Sequence, residues 1–104
     1  MKLSPVQQKI WNLRELIKLH AVMGDYKEFV AARKEYAKAY MSSPKEALSL
    51  PKTSQISVKL FSEEGWNMLK IMLRDLFRIK SPEEKALKKY AEELKAKQKF
   101  NINA

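Results

Sequence analysis

The chain contains no cysteine, one histidine and two glycines among its 104 residues, and each shortage removes a class of function. Without cysteine there is no disulfide, no thiolate nucleophile and no zinc–thiolate site, which is compatible with a reducing, intracellular compartment. A single histidine, His20, cannot supply a two-histidine metal site. Gly24 and Gly65 alone cannot form a phosphate-cradling glycine loop or a dinucleotide fingerprint. They are also too few for the many tight turns of an all-β domain. No apolar run approaches the roughly 20 residues needed to cross a bilayer, so no transmembrane segment is expected.

What is present is 45% hydrophobic residues alongside 32% charged ones, with a formal net charge of +9. That apolar content is too high for a disordered chain, and the length allows one domain with a single small core. The expectation is a single all-α domain over 1–104 that works by binding, with no cofactor.

Helix punctuation gives the organisation. Ser4-Pro5-Val6-Gln7 combines an N-cap serine, a first-turn proline and a glutamine three residues after the cap, opening a helix over 4–23 that Gly24 can close. Asp25-Tyr26-Lys27-Glu28 reads as a second capping box for a helix over 25–41, and Ser43-Pro44-Lys45-Glu46 starts a short further turn that Pro51 stops. Glu63 and Glu64 place acids at the positive end of a helix over 62–80. Ser81-Pro82-Glu83-Glu84 opens the last helix, over 82–98. Each Ser-Pro pair is explained as cap plus proline, without invoking phosphorylation. Residues 48–61 read as an extended connector: Ile56, Val58 and Leu60 alternate with Ser57 and Lys59. It either packs over the core or offers an edge to another protein's sheet. The architecture expected is a small bundle of three long helices plus a C-terminal helix.

Helical projection separates the faces. Val6, Ile10, Leu13, Leu16, Ile17 and His20 share the apolar arc of the first helix, where His20 reads as a hydrogen-bonded core or boundary residue. Trp11 lies off that arc with Leu19 and Val22, beside Lys18, and marks either a second contact surface or a site packed by the connector. On the second helix Arg33 sits within an arc of Tyr26, Phe29, Val30, Tyr36, Ala37 and Tyr40. It must either pair with an acid while stacked on those rings, or line a cationic groove. The third long helix has the widest apolar arc, Trp66, Met68, Leu69, Met72, Leu73, Leu76, Phe77 and Ile79, and is expected at the centre of the core. Its polar strip carries Lys70, Arg74 and Arg78 at four-residue spacing. The last helix has a narrow stripe of Leu87, Tyr90, Ala91 and Leu94, supported by Glu84–Lys88 and Glu93–Lys97 at i,i+4.

No catalytic constellation is present. Serines stand mostly at caps, and the acid pairs at 63–64, 83–84 and 92–93 are adjacent and so point apart on a helix, whereas general acid–base work needs groups facing one substrate. The protein is not expected to be an enzyme. Its positive charge is spread over every helix, with no polybasic tail, and such a surface suits a polyanion or an acidic protein.

The stretch Ile10-Trp11-Asn12-Leu13-Arg14-Glu15-Leu16-Ile17-Lys18, followed by Asp25-Tyr26 and Phe29, Arg33, Tyr36 and Tyr40, resembles the LYR-motif family. Arg14 matches the arginine of the tripeptide, while Asn12 and Leu13 replace its leucine and tyrosine, and Gly24 stands where proline is common. The resemblance implies a small basic helical protein of mitochondria, an accessory subunit or assembly adaptor in a larger complex. It also implies an acidic partner, acyl carrier protein, whose acyl chain lodges between the helices. The residues expected to meet that partner are Trp11, Arg14, Lys18, Arg33, Lys34 and Lys38. Two other readings remain: a nucleic-acid or ribonucleoprotein binder using Lys70, Arg74 and Arg78, and a small phage-type inhibitor contacting a host protein through Trp11 and the connector.

Overall fold

Ser4 opens the first helix as its sequence predicts. Its hydroxyl accepts from the Gln7 backbone N–H at 3.1 Å while the Gln7 side chain accepts from the Ser4 N–H at 3.0 Å. The computed structural model describes residues 2–51 and 62–102, with side chains as far as residue 97. Those residues form α1 (Pro5–Met23), α2 (Tyr26–Ser42), α3 (Pro44–Leu48), α4 (Glu63–Leu76) and α5 (Pro82–Ile102), with no strand among them. The alternation expected at Ile56, Val58 and Leu60 lies outside the described residues, and Leu48 belongs to α3 rather than to a connector.

Gly24 closes α1 with φ of +77°, a left-handed conformation in which a Cβ is costly. A Cβ there would also stand 3.1 Å from the Asn67 side chain, whose amide donates to the Val22 carbonyl and so ties α4 to the end of α1. The capping box expected at Asp25 does not form: Asp25 adopts φ −91° and ψ 80°, and its side chain makes no cap bond. Its backbone N–H donates instead to the His20 carbonyl, completing the C-terminal cap of α1, so one tight joint serves both helices. Ser62 caps α4 through the Gly65 N–H, and Ser81 with Glu84 forms the reciprocal box at α5.

α1 packs against α2 and α4, and α2 packs against α5. Alanines supply four of the nine buried hydrophobic residues among those described. Ala21, Ala32, Ala37 and Ala47 are buried beside Ile10, Phe29, Tyr40, Leu50 and Ile71. One cluster joins Ile10, Tyr40, Ala47 and Leu50, with Trp11, Leu87 and Tyr90 against it; the other joins Ala21, Phe29 and Ile71. α3 is held to the start of α1 by Ser4 Oγ donating to Glu46 and by the Gln7 amide donating to the Glu46 carbonyl.

Four further expectations are corrected. α4 ends at Leu76, not 80, because the chain turns where the Arg78 N–H donates to the Asp75 carbonyl. α5 continues to Ile102 rather than ending at 98. His20 keeps a buried Nδ1 with no hydrogen-bond partner among the described residues, in place of the bonded imidazole expected. The largest correction concerns α4. Ile71 (3% exposed) is the apolar side chain it buries fully, beside Asp75 and with Met68 partly buried, whereas Trp66, Leu69, Met72, Leu73 and Leu76, with Phe77 just past its end, are exposed. The wide apolar arc is the outer face of this helix.

Candidate docking site

Arg33 does not stand free. Its guanidinium lies 3.6 Å from Asp75 and over the Phe29 ring at 5.7 Å, the paired and stacked arrangement that was one of its two expected fates. Asp75 is 6% exposed and gathers three cations: Arg33 from α2, Arg78 at 2.9 Å and Lys80 at 3.0 Å. Arg78 also forks onto Glu84, with Nη1 at 3.1 Å and Nη2 at 2.5 Å from the two carboxylate oxygens. Lys80 further donates to the Asp75 carbonyl, which satisfies the frayed end of α4. This cluster locks the α4–α5 turn onto α2. It also replaces the expected Glu84–Lys88 pair, because the bidentate arginine lies closer at hand in the turn.

The electrostatics follow from that geometry. Burial pushes the Asp75 carboxyl up, but hydrogen bonds from Arg78 and Lys80, with the nearby Arg33 charge, outweigh it and hold the group below the usual carboxylate range. Glu84 behaves alike: burial raises it, and Arg78 and Ser81 together bring it below its ordinary value. The Arg78 guanidinium is held protonated chiefly by its bond to Glu84. Tyr40 is pushed up by burial, then by its neighbours Tyr36 and Tyr90.

Beside the cluster, α1, α2, α5 and the turn before α5 border a partly open cavity of about 510 Å³. Ile17, Tyr36, Ala37, Leu87 and Ala91 supply apolar walls, and Arg33, Lys80, Lys85 and Lys88 stand around them with Glu84. Lys85 and Lys88 make no ion pair among the described residues. This combination of apolar interior and cationic lining suits an amphiphile with a negative head. Among the described residues no group of three or more metal-ligating side chains comes together.

The sequence-predicted residues separate in space. Arg33 lines the cavity, but Lys34 points to the other flank of α2, where a groove of about 470 Å³ lies between Lys27, Lys34, Arg74 and Arg78 over Tyr26, Val30 and Ala31. Lys34 of α2 thus faces Arg74 of α4 and Arg78 just beyond it, residues that the sequence assigned to rival sites. Arg14 lies over the Tyr36 ring at 5.9 Å, Lys18 pairs with Glu15 and Lys38 with Glu35. Trp11 is partly buried against the Ile10–Tyr40–Ala47–Leu50 cluster, so packing accounts for it. In the basic stripe of α4, Arg78 is neutralised within the ion cluster, Lys70 lies over Trp66 at 5.9 Å and Arg74 over Tyr26 at 4.1 Å.

Sequence reasoning missed Lys80, Lys85 and Lys88 as cavity residues, and Asp75 as the hub. The signal for Asp75 was available: it is the one acid between Gly65 and Pro82, set three residues before Arg78. Nothing in the sequence marked Lys85 and Lys88, which on their own helix are two of many solvated lysines. No helix of the described residues is long and apolar enough to cross a membrane. No known protein family, curated protein or solved structure matches the chain.

Proposed function

We propose that the chain is a non-enzymatic helical adaptor or accessory subunit, a small bundle of long helices that docks an acidic protein partner. The cavity between α1, α2 and α5 carries this reading, because it sets an apolar interior among Arg33, Lys80, Lys85 and Lys88. An acidic protein with a lipid arm needs both parts: cations for its surface and an apolar slot for the arm. The resemblance to the LYR-motif family points the same way, toward an acyl carrier protein whose acyl chain enters the cavity, and toward mitochondria as the location. Arg33 serves in this scheme while still paired with Asp75, since its side chain remains 44% exposed.

The test is purification from the native source followed by intact mass spectrometry. An acidic partner bearing an acylated phosphopantetheine is expected with the wild-type chain and lost from the Lys85→Glu/Lys88→Glu variant, whose substituted positions are exposed. Recovery of only unrelated partners, or equal recovery with the variant, overturns the reading.

A further inference from the structure

We infer that the outer face of α4, with the basic groove beside it, is a second docking surface, separate from the cavity, and that its occupant is an amphipathic partner helix carrying acidic residues along one edge. The face is a continuous stripe. Trp66, Leu69, Met72, Leu73, Leu76 and Phe77 recur at helical spacing over about 16 Å, three turns of helix. Phe77 is 84% and Leu76 70% exposed. Apolar area of this extent, aligned on one rigid element, marks an interaction site rather than scattered surface residues.

Charge selects the occupant. Lys70 and Arg74 border the stripe on the side toward α2, linked to it by the Lys70–Trp66 contact and to α2 by the Arg74–Tyr26 stacking. Lys27 and Lys34 continue that cationic edge across the groove. By helical position Met68 and the buried Asp75 stand on the opposite border within α4, which carries no basic residue, while the exposed Glu63 at the start of the helix falls on the Lys70–Arg74 side. A helix lying on an anionic membrane presents cations on both sides of its apolar face, which this one does not. A second copy of this chain would bring another +9 and a second Lys70–Arg74 edge. Residues 52–61 contain Lys52 and Lys59 and no acid, so that segment brings no counter-charge either. A helix with leucine-like anchors at i, i+3, i+4 and i+7 and acids on one edge matches the stripe and its single basic border together.

The probe is a fluorescein-labelled synthetic helix of about 16 residues, with leucines on one face and glutamates along one edge, titrated against the full chain by anisotropy. Saturable binding is expected, weakening as salt is raised. Leu73→Glu and the Lys70→Glu/Arg74→Glu pair should each weaken it by roughly tenfold or more, with circular dichroism unchanged. Lys85→Glu/Lys88→Glu should leave it unaltered, which separates this surface from the cavity. A version of the peptide with lysine in place of glutamate should not bind. The inference is overturned if the two peptides bind alike or neither binds. It is also overturned if phosphatidylserine vesicles rather than the peptide bind in a Leu73-dependent way, or if sedimentation shows a dimer that Leu73→Glu dissociates.

Discussion

Asp75 concentrates more of the tertiary structure than any other polar residue, since it holds Arg33 of α2 and both Arg78 and Lys80 of the following turn. Replacing it with asparagine leaves three cations around a neutral group. Two of those cations reach solvent, so the cost is smaller than for a fully buried pair, about 1–3 kcal/mol at neutral pH. The folded-state carboxyl is held below its ordinary value, as is Glu84. The stability each contributes is therefore complete above the unfolded value near 4 and is lost as pH falls through the lower folded value. Urea denaturation across pH should show the wild type losing stability below about pH 4, while Asp75→Asn loses less over the same range. The gap between the two proteins should narrow in acid. A gap of constant size between neutral and strongly acidic pH would assign the effect of Asp75 to packing instead.

At the level of elements, three of the five caps were legible because a cap is a local transaction, whereas Asp25 and Ser43 make no side-chain cap bond. Ser4, Ser62 and Ser81 each bond a backbone N–H three residues on, and Gly24 supplies the positive φ that ends α1. Asp25 was misread because its N–H was already committed to His20, a constraint from the preceding helix. Arg33 was legible as a residue that must find an acid, but which acid depended on a turn 42 residues away. The face of α4 was misread for a different reason. Periodicity gives the direction of the apolar arc on a helix and not the element it meets. Here Ala21 and Phe29 receive Ile71 and part of Met68 from α4, and the leucine stripe remains outside. Two substitutions on this one helix separate the readings. Ile71→Ala should cost about 2–4 kcal/mol through the cavity it leaves. Leu76→Gln should change stability by no more than about 0.5 kcal/mol, as for an exposed site. Thermal or urea unfolding of both measures the contrast, and comparable losses would place the apolar arc in the core after all. The cavity was legible only in part: Arg33 was named from its aromatic arc, whereas Lys80, Lys85 and Lys88 join it through the α4–α5 turn.

For the whole molecule the governing quantities are area and charge. Its accessible surface is 8117 Å², against about 6,100 Å² for a compact monomer of this mass. Its radius of gyration is 15.1 Å, where about 13 Å is usual for this length. The exposed apolar face of α4 is part of that surface. The same chain carries a net charge of +9, spread along its length although α4 itself holds three acids against two cations, so like charges repel one another across the folded chain. Salt acts on that repulsion within a Debye length of roughly 10 Å at 0.1 M. The buried Asp75–Arg78–Glu84 cluster is screened far less, because water and ions do not enter it. Raising sodium chloride from about 10 mM to about 150 mM should therefore increase the melting temperature of the isolated protein, with the gain flattening as the Debye length falls below the spacing of surface charges. An acidic partner should produce the same stabilisation at low salt by supplying the missing counter-charge, and added salt should then erode it. Scanning calorimetry of the free chain against ionic strength measures the first half of this directly. A melting temperature that falls with salt would mean that specific surface ion pairs, and not the excess positive charge, dominate the electrostatics of the fold.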